Sequence, residues 1–236
     1  MDALFISDLH LSVERPDITG AFINFLETQA IAADHFYILG DLFEAWIGDD
    51  DPSELATTIV RALRKLSQTK TQVYVQQGNR DFLLGKRFAR ETGVTLLPDY
   101  QVITSCDKRF LLCHGDTLCL EDVDYIKFRR KVRNPIYSWV LVHMPLKFRQ
   151  KLAANWRAKS MAANSNKATN IMDATPSEVD RLLKHYNCNV MIHGHTHRPK
   201  VHKHTNGLRY VLGDWDRQGW SISLNSGDTE LVSFDI

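Results

Sequence analysis

Short runs of β-branched and aromatic residues alternate with amphipathic helical segments along the first half of this 236-residue chain. Such alternation with short connections predicts an α/β fold, because each helix covers a sheet built from the strands on either side of it. From residue 94 strand patterns dominate, and they return after residue 190. The predicted strands are 3–7, 36–40, 72–77, 94–98, 101–106, 109–114, 190–193, 209–212 and 230–234, and the predicted helices include 18–32 and 53–68.

Polar clusters follow five of these predicted strands, at the point where each strand ends. The clusters are Asp8-Leu9-His10, Gly40-Asp41, Gly78-Asn79-Arg80-Asp81, His114-Gly115-Asp116 and Gly194-His195-Thr196-His197. In an open α/β sheet the loops at the carboxyl ends of the strands line the functional crevice, so we expect the clusters to converge in space. A single Gly-Asp pair is usually only a turn or a helix cap, and the ordered set of five is the specific signal.

The side chains in these clusters predict a metal site. Asp, His and Asn supply oxygen and imidazole donors that suit Mn²⁺, Fe²⁺ or Zn²⁺. Seven candidate ligands are too many for one ion and fit two ions. We expect Asp41 to bridge the two ions, because Gly40 lets the backbone approach closely. Two such ions bind a phosphoryl oxygen and activate water for an in-line displacement.

In this order the motifs resemble those of the calcineurin-like metallophosphoesterases, from Asp8 to His197. The resemblance implies a fold of the α/β class with a two-sheet β-sandwich core flanked by helices, in an αββα arrangement. It also implies two divalent metal ions, which we expect to be Mn²⁺. The implied ligands are Asp8, His10, Asp41 and His197 for one ion and Asp41, Asn79, His114 and His195 for the other, and the implied catalytic residues are Asp41, Asn79, Arg80 and His114.

Arg80 departs from the usual pattern of this family, in which most members carry His after the Gly-Asn pair. Arginine cannot act as a general acid at neutral pH, but its fixed fork of donors suits a second phosphate. A phosphate monoester needs no proton to leave, because its second pKa is about 6 and it departs as a stable anion. We therefore expect the cleaved bond to be a phosphoanhydride.

Residues 120–170, which we call the helical insertion, separate two groups of predicted strands. The segment 125–172 holds eleven basic and no acidic residues, although the whole chain balances 29 Lys+Arg against 28 Asp+Glu. That balance excludes an overall basic nucleic-acid binder. The simplest interpretation of such a charge run is a solvated helical face. The interleaved Trp, Phe, Leu and Met residues instead favour a helix at an anionic membrane surface, or a groove for an acyl chain with a phosphate at its end.

The motif text at residues 40–50, 78–85 and 114–119 is similar to members of this family that act in lipid A biosynthesis. This resemblance covers almost the whole chain and implies one domain, 1–236, with the helical insertion as its lid. It implies that water attacks the α-phosphorus of UDP-2,3-diacylglucosamine, at the cytoplasmic face of the inner membrane, giving UMP and 2,3-diacylglucosamine 1-phosphate. The implied substrate contacts are Asn79, Arg80, Asp122, Ser160, Asn164, Lys167 and His195. Asp122 equally suits a helix cap.

Two other functions stay open at this point. One is a nucleotide phosphodiesterase or pyrophosphatase of the same superfamily, in which the basic residues bind a nucleotide. The other is a metal-free scaffold that binds protein partners through the aromatic residues of the helical insertion. Four cysteines without a CxxC pair and an N-terminus without a leader pattern predict a cytoplasmic protein, which we expect to be a monomer that binds no nucleic acid. His193, beside the last motif, has no assigned role.

Overall fold

Two β-sheets form the centre of the molecule. The computed structural model describes the backbone of residues 1–164 and 173–236 and the side chains of residues 1–159 and 173–236. The strands are β1 Ala3–Ile6, β2 His35–Leu39, β3 Gln72–Gln76, β4 Thr95–Leu97, β5 Gln101–Ser105, β6 Lys108–Leu112, β7 Val190–His193, β8 Lys200–His204, β9 Gly207–Val211, β10 Gln218–Asn225 and β11 Asp228–Asp235. The helices are α1 Pro16–Thr28, α2 Glu54–Ser67, α3 Lys86–Thr92, α4 Val123–Val132, α5 Pro135–His143, α6 Leu146–Asn164 and α7 Pro176–Tyr186.

The strand order brings the carboxyl ends of parallel strands together. The first sheet has the order β11-β10-β1-β2-β3-β4, in which β1 to β4 are parallel. The second sheet has the order β5-β6-β7-β9-β8, in which β6, β7 and β9 are parallel. The five polar clusters begin just after β1, β2, β3, β6 and β7. The sheet topology therefore places each cluster at the carboxyl end of a parallel strand.

Alternation of apolar side chains along the strands produces the layers. In β1, Phe5 packs between the two sheets, whereas Leu4 and Ile6 pack on the other face against α1 and α2. In the second sheet, Leu111 and Met191 pack outward against α7. Two sheets with an apolar layer between them and helices on both outer faces form an αββα sandwich. The predicted fold class is confirmed.

Some elements lie outside the predicted set. The edge strand β8 contains a single apolar residue, Val201, and so has no alternating pattern that would predict a strand. Its antiparallel pairing with β9 stabilises it instead. The first helix begins at Pro16 rather than at residue 18, because proline fits the first helical turn, where its missing N–H is not needed. Helices α3 and α7 and strand β10 also lacked a prediction. These differences change none of the strand ends that carry the polar clusters.

The helical insertion contains α4, α5 and α6, and four of its arginines face acidic residues in the rest of the chain. Their partners are Asp116 and Asp99 for Arg129, Asp99 for Arg133, Asp50 for Arg149 and Glu44 for Arg157. Much of the basic charge thus attaches the insertion to an acidic surface. Neither a solvated face nor a membrane contact accounts for these four arginines.

The helical insertion also exposes apolar side chains. Ile136, Trp139 and Phe148 are 75%, 62% and 50% exposed, respectively. Lys147 and Lys151 are exposed close to them in the sequence. Within the described parts of the chain, every helix is too short or too polar to span a bilayer.

Replacing Arg149 by alanine tests the attachment of the helical insertion. The buried Arg149 guanidinium donates to the carbonyl oxygens of Ile47 at 2.6 Å and Met144 at 2.9 Å, and to both carboxylate oxygens of Asp50 at 2.7 and 2.5 Å. Arg149→Ala leaves these acceptors without their donor, so we expect the free energy of unfolding to fall by about 2 kcal/mol. Urea denaturation measures this change, with Lys151→Ala on the same helix as an exposed control. Equal unfolding free energies for the two variants would contradict the prediction.

Candidate metal centre

Five of the candidate ligands have left-handed backbone conformations. The φ angles are +56° at Asp8, +50° at His10, +52° at Asp41, +66° at His195 and +52° at His197. Residues with a side chain rarely adopt this conformation, which persists where the surrounding structure enforces it. The N–H of Asp8 donates to the carbonyl oxygen of Gly40 at 3.1 Å, and the N–H of His10 donates to that of Asp41 at 3.0 Å. Neighbouring loops therefore hold one another in the conformation that directs these side chains.

Asp8, His10 and His197 form a first group of candidate ligands. Nε2 of His197 lies 3.4 Å from Oδ1 of Asp8 and 3.3 Å from Nε2 of His10. One ligand atom from each of these residues lies within 4.8 Å of the other two. Nε2 of His10 also lies 3.9 Å from Oδ2 of Asp41. These donors are close enough to bind one ion together.

Asp41, Asn79, His114 and His195 form a second group. Oδ1 of Asn79 lies 2.9 Å from Nε2 of His114 and 2.8 Å from Nδ1 of His195. Oδ2 of Asp41 lies 3.7 Å from Nε2 of His114. Since the same oxygen faces His10 in the first group, Asp41 lies between the two groups, where a bridging ligand would be. All seven ligands implied by the sequence thus come together in the structure.

Three imidazoles are oriented by acceptors outside the two groups. Nδ1 of His114 is hydrogen-bonded to the carbonyl oxygen of Leu39 at 2.9 Å. Nδ1 of His10 and of His197 each lie 3.2 Å from a carboxylate oxygen, of Glu44 and of Asp214, in ion-pair contacts. An acceptor beside Nδ1 keeps the ring proton on that nitrogen. The Nε2 atom of each ring faces the centre, which is the orientation that metal ligation requires.

The two carboxylates present one oxygen each to the centre. Oδ2 of Asp8 accepts hydrogen bonds from Ser7 Oγ at 2.6 Å and the His195 N–H at 2.8 Å, while its Oδ1 accepts none from the described residues. Oδ1 of Asp41 accepts from the Arg80 N–H at 2.8 Å, which leaves Oδ2 facing the imidazoles. A buried carboxylate oxygen that has no donor and faces imidazole nitrogens is stabilised by positive charge beside it. The donor set therefore fits divalent metal ions.

The pKa values in the centre also indicate that its carboxylates stabilise positive charge. Burial alone would lower the pKa of His197, but contact with Asp214 and Asp8 raises it to about 10. Burial would raise the pKa of Asp8, yet His197 keeps it well below its ordinary value. Burial and the charge of His114 lower the pKa of His195 to about 4, so this ring stays neutral, as a metal ligand must. The first group stabilises positive charge, and the second offers a neutral imidazole.

Asp81 supports the loops that carry Asp41 and Asn79. It is buried, and its Oδ1 accepts from the Gly78 N–H at 2.6 Å while its Oδ2 accepts from the Leu42 N–H at 2.8 Å. Burial and the nearby charge of Asp41 raise the pKa of Asp81 to about 6. The carboxyl group joins the loop after β2 to the loop after β3, and so keeps Asp41 beside Asn79.

A cavity of about 590 Å³ opens over the candidate ligands. Asp41, Asn79 and His195 line its polar end. Its apolar wall includes Trp46, Phe82, Leu83, Phe128, Leu152 and Trp156. Charged and apolar surfaces therefore meet in one space, which suits a ligand that has both kinds of surface.

The remaining predicted contacts lie at this cavity or outside the described residues. Arg80 lines the cavity, with Nη1 3.4 Å from Oε1 of Glu44. Asp122 also lines it and accepts the Tyr125 N–H at 3.1 Å, so it caps α4 as well. The side chains of Ser160 and Asn164, and all of Lys167, lie outside the described residues.

His193 lies behind the centre rather than in either ligand group. It is fully buried, and its Nδ1 is 2.7 Å from the carbonyl oxygen of Gly194. Its Nε2 is 3.5 Å from Arg209, and burial together with that charge lowers its pKa to about 3. These contacts describe a neutral histidine that packs beneath the last motif.

Sequence reasoning missed the carboxylates that orient the imidazoles. Asp214 follows Gly213 shortly after β9, which is the same Gly-Asp pattern that marked Asp41, so this pattern could have found it. Glu44 lies three residues after Asp41 in a motif recognised from the sequence, but nothing local distinguishes it from a surface residue. Its position becomes informative only once His10 lies beside it.

Replacing Asp214 by asparagine tests the orientation of His197. The amide keeps the size of the side chain but loses the negative charge that favours the ring proton on Nδ1, so we expect metal affinity to fall roughly 10- to 100-fold. Competition with a chelator during Mn²⁺ titration measures this affinity. Asp216→Asn is the matched control, because Asp216 is exposed two residues further along and pairs with Arg15. Equal Mn²⁺ affinities in the two variants would show that Asp214 does not orient the ligand.

Comparison with known proteins agrees with this geometry. Residues 1–199 match the family model described as calcineurin-like phosphoesterase. The UDP-2,3-diacylglucosamine hydrolase of Pseudomonas aeruginosa is 48% identical over 240 residues, with 100% of both chains covered, and that of Pseudomonas putida is 49% identical, with 98% of both covered. A Thermotoga maritima protein solved by NMR has a TM-score of 0.51 at 18% identity, covering 99% of this chain and 98% of that one, and so shares the fold. The chain belongs to the calcineurin-like phosphoesterase family, in the branch that contains these UDP-2,3-diacylglucosamine hydrolases.

Proposed function

We propose that this chain hydrolyses the pyrophosphate bond of UDP-2,3-diacylglucosamine to UMP and 2,3-diacylglucosamine 1-phosphate, in lipid A biosynthesis. The observation that supports the proposal is a cavity in which the candidate metal ligands at one end meet an apolar wall at the other. A nucleotide diphosphate joined to a diacylated sugar has the same succession of charged and apolar parts. The full-length relatives named for this hydrolase support the same substrate.

We propose two Mn²⁺ ions as the cofactors, since membership of the family implies divalent metal ions. One ion would take Asp8, His10, Asp41 and His197, and the other Asp41, Asn79, His114 and His195. When bound, such ions stabilise charge on phosphoryl oxygens and lower the pKa of water. The protein contributes the fixed orientation of the imidazoles and carboxylates.

Arg80 accounts for the choice of bond. Its guanidinium lies in the cavity beside Glu44, at the position where most members of the family carry His. An arginine is not a general acid at neutral pH, so this side chain would not protonate a leaving alkoxide. When water attacks the α-phosphorus, the bond from this phosphorus to the bridging oxygen breaks, and the electron pair leaves with the sugar phosphate. The leaving group departs as an anion, and the water protons go to solvent. The N–H fork of Arg80 then stabilises the phosphate charge.

The apolar wall supports a lipid substrate. Phe82, from the loop after β3, lies 6.3 Å from Trp156 of α6, measured between ring centroids, and Phe128 of α4 lies 5.2 Å from the same ring. We propose that this wall holds the acyl chains, and that the helical insertion is a lid on one domain, 1–236. The family-implied contacts Asp122, Ser160, Asn164 and Lys167 would then bind the glucosamine and its phosphate.

The cavity also weighs against the two alternative functions. A phosphodiesterase that acts on nucleotides alone would leave the apolar wall without a ligand. A metal-free scaffold would not need carboxylates beside Nδ1 of His10 and His197. Hydrolysis of a lipid pyrophosphate would use both the apolar wall and the carboxylates beside these imidazoles.

Hydrolysis of UDP-2,3-diacylglucosamine in H₂¹⁸O tests the substrate and the attacked atom together. We expect mass spectrometry to find ¹⁸O in UMP and none in the sugar phosphate. Asp41→Ala should reduce turnover by more than about 100-fold, because it removes the shared ligand. Asp235→Ala, exposed at the end of β11, is the control.

Two results would contradict this proposal. Label in the sugar phosphate would mean that water attacks the other phosphorus. Equal turnover of bis-p-nitrophenyl phosphate would favour the general phosphodiesterase.

We further propose that the helical insertion binds the anionic cytoplasmic surface of the inner membrane. Ile136, Trp139 and Phe148 supply exposed apolar side chains, and Lys147 and Lys151 supply exposed positive charge. Apolar side chains flanked by lysines suit the headgroup region of an anionic bilayer. The segment 125–172 contains no acidic residue that would be repelled there.

Sedimentation with phosphatidylglycerol-containing vesicles tests the membrane contact. Lys147→Glu should weaken binding roughly tenfold or more, because each basic residue near such a surface contributes about 1 kcal/mol. Trp139→Ser should weaken it as well, without the salt dependence of the charge reversal. Val201→Ser, exposed on β8, is the control. Unchanged vesicle binding in both test variants would exclude this face as the contact.

A further inference from the structure

The Arg157 side chain reaches from α6 of the helical insertion to the metal centre. Its Nε contacts Oε1 of Glu44, and the other oxygen of Glu44 lies 3.2 Å from Nδ1 of His10. Arg157 also lines the cavity and directly follows Trp156 of the apolar wall. A single side chain of the helical insertion therefore lies at the junction between the polar and apolar ends of the cavity.

Two guanidinium groups meet one carboxylate at this junction. Nη1 of Arg80 lies 3.4 Å from the same Glu44 oxygen that Arg157 contacts. One carboxylate cannot neutralise two guanidinium groups, so the junction favours a further anion.

The chemistry of the proposed substrate supplies that anion. A pyrophosphate diester carries two negatively charged phosphates, and the planar fork of an arginine binds one phosphate through paired N–H donors. Arg80 follows Asn79, and its backbone N–H donates to Asp41, so it lies beside the candidate metal ligands. Arg157 lies on α6, on which positions 160 and 164 follow at helical spacing. These are the positions that the family resemblance implies for the sugar.

We infer that Arg157 is a further substrate-binding residue, which joins Arg80 in binding the phosphate that leaves with the sugar. This inference rests on the proposed function. Glu44 contacts both arginines and His10, and so positions the phosphate-binding side chains relative to the metal centre. The competing explanation is that the Arg157–Glu44 pair only attaches α6 to the rest of the chain, as Arg149 does through Asp50.

Product inhibition separates the two explanations, because each product carries one of the two phosphates. Inhibition constants for UMP and for 2,3-diacylglucosamine 1-phosphate are measured for the wild type, Arg157→Ala, Arg157→Lys and the control Arg61→Ala, an exposed arginine on α2. We expect Arg157→Ala to weaken binding of the sugar phosphate by roughly 10- to 100-fold and to raise KM similarly, because a hydrogen-bonded charge is lost. Binding of UMP should change less than about twofold. Arg157→Lys, which keeps the charge but loses the fork, should be intermediate.

The opposite patterns overturn the inference. Weaker binding of UMP alone would assign Arg157 to the other phosphate. Equal effects on both products, together with faster tryptic cleavage of the helical insertion in Arg157→Ala, would mean that the pair is only an attachment. If the wild type fails to cleave UDP-2,3-diacylglucosamine, the proposed function fails, and calorimetric binding of the same two compounds to the same variants still decides which phosphate Arg157 binds.

Discussion

The arrangement of the surrounding loops depends on two carboxylates that are buried side by side. Asp8 and Asp41 follow adjacent parallel strands, β1 and β2, and are 0% and 1% exposed. Ionised groups removed from water in this way are stable only when positive charge and hydrogen-bond donors surround them. The left-handed loops, the inward-facing imidazoles and the backbone donors of neighbouring turns all meet this requirement. The αββα sandwich brings the loops of both sheets to this one position.

The sequence predicted those features that short stretches of consecutive residues determine. Strand ends followed by Asp, His or Asn are visible as short motifs, and parallel pairing guarantees that such ends converge. Glu44, Asp214 and Arg157 were missed because their roles depend on partners that lie far away in the sequence, at His10, His197 and Glu44. An acidic or basic residue in a loop or on a helix has the same local pattern whether it is solvated or paired.

In the helical insertion, the number of basic residues does not show which of them contact the rest of the chain. Four of its arginines face acidic residues of the sandwich, whereas all of its lysines within the described side chains are exposed: Lys127, Lys131, Lys147, Lys151 and Lys159. The planar guanidinium binds carboxylates through paired donors and is weakly hydrated, so it tolerates burial, while the ammonium group remains in water. These four arginines therefore contact the sandwich, whereas the lysines keep their ammonium groups exposed.

The distribution of the candidate ligands between the two sheets has a consequence for folding. Asp8, His10, Asp41 and Asn79 follow strands of the first sheet, whereas His114, His195 and His197 follow strands of the second. Ions held by this set would cross-link the sheets at one edge of the sandwich, and their binding free energy would add to the free energy of unfolding. Metal supply would then control how long the folded chain survives in the cell, independently of how fast it turns over substrate.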